Sequence, residues 1–304
     1  MPRSYRLISP HALSPIVLSF LIATNIAHGQ TWIDSLPAQT KRAILWSADH
    51  EEGTLADWTF PHFRYAGGGV FNTGGSDVSA AASVDVAHSG KWAARAHIRH
   101  ARRAQQGPRA VRLMRWTNRA WDDGGVAFPA EAYFSTWLYV PHKYNPQKYP
   151  PWDPGDGGWW NIFQFKSKDT NDDSQPVWVI GLAYSDKFNF MYLYLYSKYN
   201  PPHSFEQPAA FEVPSQRWVH VEAFYKCAPG KKGRIAVWQD GRKIIDLTNV
   251  VTSLGGKTGN DLTPIWGIGS YTDHIRGDPD GEGTATLFFD DAIVSTRRVF
   301  PSPP

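Results

Sequence analysis

In Phe190–Tyr196 every second residue is a ring and every residue between is aliphatic: Phe190, Tyr192, Tyr194 and Tyr196 alternate with Met191, Leu193 and Leu195. Only an extended strand sends successive side chains to opposite faces; a helix returns to one face after about 3.6 residues. The aliphatic set is the natural core side, which leaves the rings facing outward or into a groove. The same alternation of aromatic and β-branched residues recurs along the chain and predicts strands at 43–47, 92–100, 110–116, 131–140, 161–167, 177–183, 190–196, 218–225, 233–239, 265–272 and 285–295. Asp240-Gly241, between Ile235–Trp238 and Lys243–Ile245, reads as a hairpin turn. Helical periodicity is poor, no repeat of fixed period occurs, and Gly and Pro are scattered instead of gathered into a linker. Eleven strands in a nearly helix-free chain of 304 residues predict an all-β fold, a large antiparallel β-sandwich of the jelly-roll kind, formed by residues 30–304 as a single domain.

Composition excludes several classes. Cys227 is the one cysteine, so neither a disulfide scaffold nor a zinc site of paired cysteines can form; it reads as a small buried hydrophobe. Residues 1–29 read as a secretory signal peptide: Arg3 and Arg6 precede an apolar stretch at 12–23 too short to span a bilayer, and Ala27-His28-Gly29 offers a cleavage site. The mature chain is therefore expected to be secreted or periplasmic, without a transmembrane segment, and monomeric. Between Lys91 and Arg119 stand nine basic residues and no acidic one, among them Arg109, Arg112 and Arg115. Such a run is a solvated face or an attractor of anionic polymers. With a net charge of only +3, an acidic polysaccharide fits a secreted chain better than nucleic acid. Arg pairs bidentately with a carboxylate, which suits a uronic acid. Tyr192, Tyr194 and Tyr196, with Trp160 and its neighbour Trp159, would give such a polymer a stacking surface.

Specific segments then resemble a family. Asn161-Ile162-Phe163-Gln164-Phe165-Lys166 is similar to the central strand of polysaccharide lyases built on a concanavalin-A-like jelly roll, the alginate, glucuronan and heparin lyases, which carry Gln-Ile-His there. Ile265-Trp266-Gly267-Ile268-Gly269-Ser270-Tyr271 resembles their Lys-x-Gly-x-Tyr strand. Arg217–Glu222 and Gly233–Gly241 follow the rhythm of the wider lectin and glucanase superfamily, whose non-catalytic laminin-G-like modules share these two signatures.

The resemblance implies β-elimination on a uronate, with the carboxylate neutralised, the C5 proton removed and the leaving O4 protonated. It implies Tyr271 as base and acid, Gln164 as a carboxylate ligand, and an arginine, Arg112 or Arg115, as neutraliser. Lys166 stands where the family has histidine and would act as an electrostatic aid, or as a base if its pKa is lowered. His97, His203 and His274 are further candidates without an assigned position. No cofactor is required by this chemistry. The resemblance to sugar-binding sandwiches also implies a structural Ca2+ between Glu51 and Asp290 or Asp291, and the loop Asp278-Pro279-Asp280-Gly281-Glu282 is a second candidate. Two alternatives stay open: a lectin-like binding module without chemistry, and a glycoside hydrolase, which lacks the expected E-x-D-x-x-E strand.

Overall fold

A computed structural model describes residues 31–99, 109–146, 159–272 and 284–300. The signal segment 1–29, His274 and the acidic loop 278–282 lie outside them. Two eight-stranded antiparallel sheets make up the fold. The first runs β14 (Arg242–Val250), β13 (Gly233–Gln239), β12 (Trp218–Lys226), β6 (Glu131–Tyr139), β16 (Thr284–Ser295), β4 (Ala93–Arg99) and β3 (Val78–Ser83), with β1 (Ile44–Ala48) paired to β16. The second runs β10 (Ser204–Phe205), β9 (Phe190–Tyr196), β8 (Ser174–Ser185), β7 (Asn161–Lys168), β15 (Ile265–Thr272), β5 (Arg109–Arg115) and β2 (Gly68–Thr73), with β11 (Glu212–Val213) paired to β9. The sandwich is the expected jelly roll. All eleven expected strands form, and Asp240 and Gly241 both take positive φ (47° and 79°), as a tight hairpin needs.

A line of aromatic contacts crosses the interior: Trp46 on Trp58, Trp58 on Trp266, Trp266 on Phe134, Phe134 on Phe165, and Phe165 stacked on Tyr225 at 4.2 Å. Met191, Leu193 and Leu195 join this core, and the tyrosines between them face out, as the alternation predicts. Four strands escape the sequence pattern. β2 opens on two glycines and β3 is Val-Ser-Ala-Ala-Ala-Ser, so neither shows large-side-chain alternation; β10 and β11 have two residues each.

The first and last described segments clamp the outer face of the first sheet. Trp32 packs edge-on to Trp137, and Phe300 stacks on His220 at 4.8 Å. Glu222 accepts from Arg298 Nε at 2.7 Å and from the Val299 amide at 2.8 Å. His220 is fully buried there, and neither ring nitrogen has a partner among the described residues. Burial first, then the His88 and Arg298 charges, push its pKa from 6.5 down to about 3. Below 6.5 the unfolded chain therefore takes up a proton that the folded chain refuses, and stability drains as the pH falls toward 3. Urea midpoints measured across that range should fall steadily, and His220→Phe should flatten the slope.

Candidate active site

Burial of alternate residues decides what the second sheet shows to solvent. On β15, Trp266 and Ile268 go to the core, so Gly267, Gly269 and Tyr271 face outward. On β5, Val111 and Leu113 go inward and Arg112 and Met114 outward. On β7, Phe163 and Phe165 are core residues, so Gln164 and Lys166 face out. The register places Gln164 and Met114 on either side of Gly267, Arg112 beside Gly269, and Asn161 beside Tyr271. The glycines keep the floor low between these side chains. Gly269 has φ +154°, and a Cβ there would lie 1.9 Å from the Val111 carbonyl oxygen, so no other residue fits without shifting the strand.

Two clefts meet over this floor. One, of about 520 Å³, is lined by Trp159, Asn161, Tyr194, Tyr196, Glu206 and Tyr271 among others. The second, of about 570 Å³, is lined by Phe71, Arg112, Trp116, Trp121, Lys166 and Lys168 among others. Gln164, Arg112, Asn161 and Tyr271 surround the small gap that joins them. The result is a groove crossing the sheet.

The polar groups at its centre are poised for an anion. Arg112 lies 5.4 Å over the Tyr271 ring and donates through Nη2 to Thr73 Oγ1 at 2.7 Å, while its buried Nε has no partner among the described residues. Burial pulls the Arg112 pKa down and a Tyr271 phenolate would pull it back up. Burial, then Arg112, lower the Lys166 pKa. Among the described residues neither cation is ion-paired. Gln164 is buried, and its Oε1 also lacks a partner. Trp159 meets the Tyr271 ring edge-on at 5.0 Å and holds its orientation. Two cations without a counter-ion among the described residues, with the Gln164 amide and a tyrosine between the clefts, suit an anionic ligand.

Residues 50–292 match the polysaccharide lyase family, which covers most of the chain and the whole of this groove. The chain belongs to that family. The lyase therefore acts on acidic polysaccharides. Among solved structures, an endo-β-1,4-glucuronan lyase from the fungus Trichoderma reesei is 16% identical with a TM-score of 0.55, over 84% of this chain and 96% of that one. The alginate lyase Aly36B (13% identical, TM-score 0.47, 85% and 98% covered) and an alginate lyase from Aplysia kurodai (11%, 0.47, 84% and 99%) also match. At these identities the likeness concerns the fold. No curated protein matches the lyase.

The groove gathers Tyr271, Gln164, Lys166, Arg112, Tyr194 and Tyr196 from the sequence-based expectations, with Tyr192 on the same face of β9. Three expectations need correction. Trp160 is no sugar platform: it is fully buried and its Nε1 donates to Ser270 Oγ at 2.9 Å. A register shift between Asn161 and Phe163 turns both Ile162 and Phe163 inward, so counting by twos from Gln164 fails there, and Trp159 reaches the groove instead. Arg115 faces the core and is fully buried, donating to the Thr117 and Trp58 carbonyls and lying 4.2 Å from the Phe60 ring centroid. The basic run is not one face either: Arg109 pairs with a buried Asp77 at 3.0 Å, and of the run only Arg112 lines the groove among the described residues.

The acids expected to hold calcium accept hydrogen bonds from the segment 88–92. Glu51 accepts the Lys91 and Trp92 amides at 2.9 and 2.8 Å, Asp290 accepts the His88 amide at 2.8 Å, and Asp291 binds the His88 ring and the Ser89 hydroxyl. No group of three metal-ligating side chains occurs among the described residues. His97 faces away on the other sheet, bonded to Thr286. Trp159 lines the groove as the sequence suggests, whereas Asn161 escapes sequence reasoning because only the bulge reveals its side.

The two arginines should separate by assay. Arg115→Leu should lower unfolding free energy by about 3 kcal/mol, because it leaves buried carbonyls unpaired. Arg112→Leu should cost about 1 kcal/mol or less in urea unfolding while removing activity on polysaccharide.

Proposed function

We propose that the lyase cuts a uronate-containing chain by β-elimination, and that it does so outside the cytoplasm once residues 1–29 are removed. The observation that carries the reading is that Arg112 and Lys166 line one cleft, half-buried and without a carboxylate partner among the described residues. In a partly dry groove such a pair binds a carboxylate more strongly than it would in water.

With the uronate carboxylate held by Arg112, Lys166 and the Gln164 amide N–H, negative charge can build on it as C5 loses its proton. Tyr271, as the phenolate, takes that proton. The C5–H electrons form the C4–C5 double bond and the C4–O4 bond breaks. Tyr271 returns the proton to O4, so a single residue on one side of the sugar completes a syn elimination. Arg112 over the ring favours the phenolate form that starts the cycle. Lys166 supplies charge where a histidine stands in the similar lyases, and its lowered pKa makes it less firmly protonated than a solvated lysine. Each step uses side chains of the chain itself.

Incubation of the purified protein with alginate, glucuronan, heparin, hyaluronan and pectate tests this through the ultraviolet absorbance of the new unsaturated uronate. Absorbance should rise on at least one polymer, and Tyr271→Phe should slow it by about 10²-fold or more. A Tyr271→Phe enzyme as fast as wild type would remove Tyr271 from the mechanism. No rise on any polymer, with retarded migration through a gel containing one, would make the protein a binding module.

A further inference from the structure

Phe71 and Trp121 are 45% and 44% exposed, and both stand in the same cleft as Arg112 and Lys166. Each ring is carried by fixed backbone. Phe71 shares the outward face of β2 with Gly69, and its ring folds back over that glycine, where a Cβ would lie 3.1 Å from the ring. Trp121 opens a tight turn, Trp121–Asp123. Its amide donates to the Tyr65 carbonyl at 2.8 Å, and the Tyr65 amide donates to the Asp122 carboxylate at 2.9 Å. The Gly125 amide closes the turn on the Ala120 carbonyl at 2.8 Å, and a Cβ at Gly125 would lie 2.2 Å from the Arg119 carbonyl oxygen. Trp116, half-buried, continues the outward face of Arg112 and Met114 just past β5 and lines the cleft too. Large rings held open to water on a rigid backbone are pre-organised for a ligand. The other charges of this cleft have both signs, Lys168 paired with Asp172 at 3.0 Å and Asp261 as a carboxylate, so what it adds beyond Arg112 and Lys166 is its rings.

We infer that Phe71, Trp116 and Trp121 form a second sugar site, which stacks the apolar face of a unit further along the same polymer chain than the uronate held by Arg112 and Lys166. The inference rests on the elimination reading above, which seats a uronate where the two clefts join. Arg112 borders both that junction and this cleft, so a chain bound at the junction continues directly onto the rings. Stacking uses the C–H groups of a sugar face and no charge, so a neutral sugar and a uronate both fit. Contacts to a unit remote from the reacting bond help to hold that bond in place, and they are made only by chains long enough to reach them. The site therefore makes the lyase selective for chain length, with Trp121 as a substrate-binding residue that touches no reacting atom.

The test takes the polymer on which wild type forms the unsaturated uronate, together with its oligosaccharides of graded length. Initial rates of double-bond formation give kcat and KM on each. Wild-type kcat/KM should climb with length, and Trp121→Ala should flatten the climb. The loss should reach about tenfold or more on the polymer, mostly as a higher KM, and be clearly smaller on the shortest oligosaccharide cleaved. Trp121→Phe, which keeps a ring, should restore most of the difference. A loss equal at every length, or no loss on the polymer, overturns the inference and leaves the elimination reading standing. If no polymer yields a double bond, the elimination reading falls. Retardation in gels containing each polymer then judges the second site alone, and a Trp121→Ala protein retarded as strongly as wild type overturns it.

Discussion

Burial of Phe163 and Phe165 on one strand, and of Trp266 and Ile268 on its neighbour, is the constraint on which the groove depends. These side chains meet Phe134 and Tyr225 from the opposite sheet and cannot leave without opening the core. Because strand side chains alternate, driving them inward drives Gln164, Lys166, Gly267, Gly269 and Tyr271 outward. A one-residue slip of either strand would bury the polar set and expose the rings, so the hydrophobic effect enforces the register that brings the reactive groups together. The aromatic core is thus the positioning device for the site.

The floor is a matter of space. Gly267 lies under Met114 and Gly269 under the Val111 carbonyl, so β15 passes between β7 and β5 without raising a side chain of its own until Tyr271. Arg112 and Lys166 can then extend into the groove from the flanking strands, at a cost of lost solvation, joined for Lys166 by the Arg112 charge, that their lowered pKa values record. That cost is relieved when an anion enters, which is how a protein stores affinity for a carboxylate in its free state. The opposite end of the groove is built from aromatic rings and hydroxyls, with Glu206 and Lys198 at its edge.

Much of this was legible in the sequence, for a physical reason: large side chains alternate wherever both faces of a strand have different neighbours. That made β9 and its outward tyrosines plain, and it put Gln164 with Lys166. It failed where alternation itself breaks. The bulge at Ile162–Phe163 reversed the side of Trp160 and hid Asn161, and no local signal in Asn161–Lys166 marks it. Small residues concealed β2 and β3, since Gly and Ala leave no periodic trace. Arg112 and Arg115 differ by three positions, so alternation does put them on opposite faces. Which face is the core follows only from Val111 and Leu113 meeting the other sheet. The acids read as calcium ligands also accept backbone amides and the His88 ring, contacts across more than 200 residues for Asp290 and Asp291 that no local pattern marks.

The central claim is that the groove recognises a carboxylate through Arg112 and Lys166. Calorimetric titration of the Tyr271→Phe protein with a uronate oligosaccharide, and with the same oligosaccharide after reduction of its carboxyls to alcohols, measures that recognition without turnover. The account predicts that reduction weakens binding by about tenfold or more, the scale of a lost charge-assisted contact. Equal affinity for the two forms would contradict it.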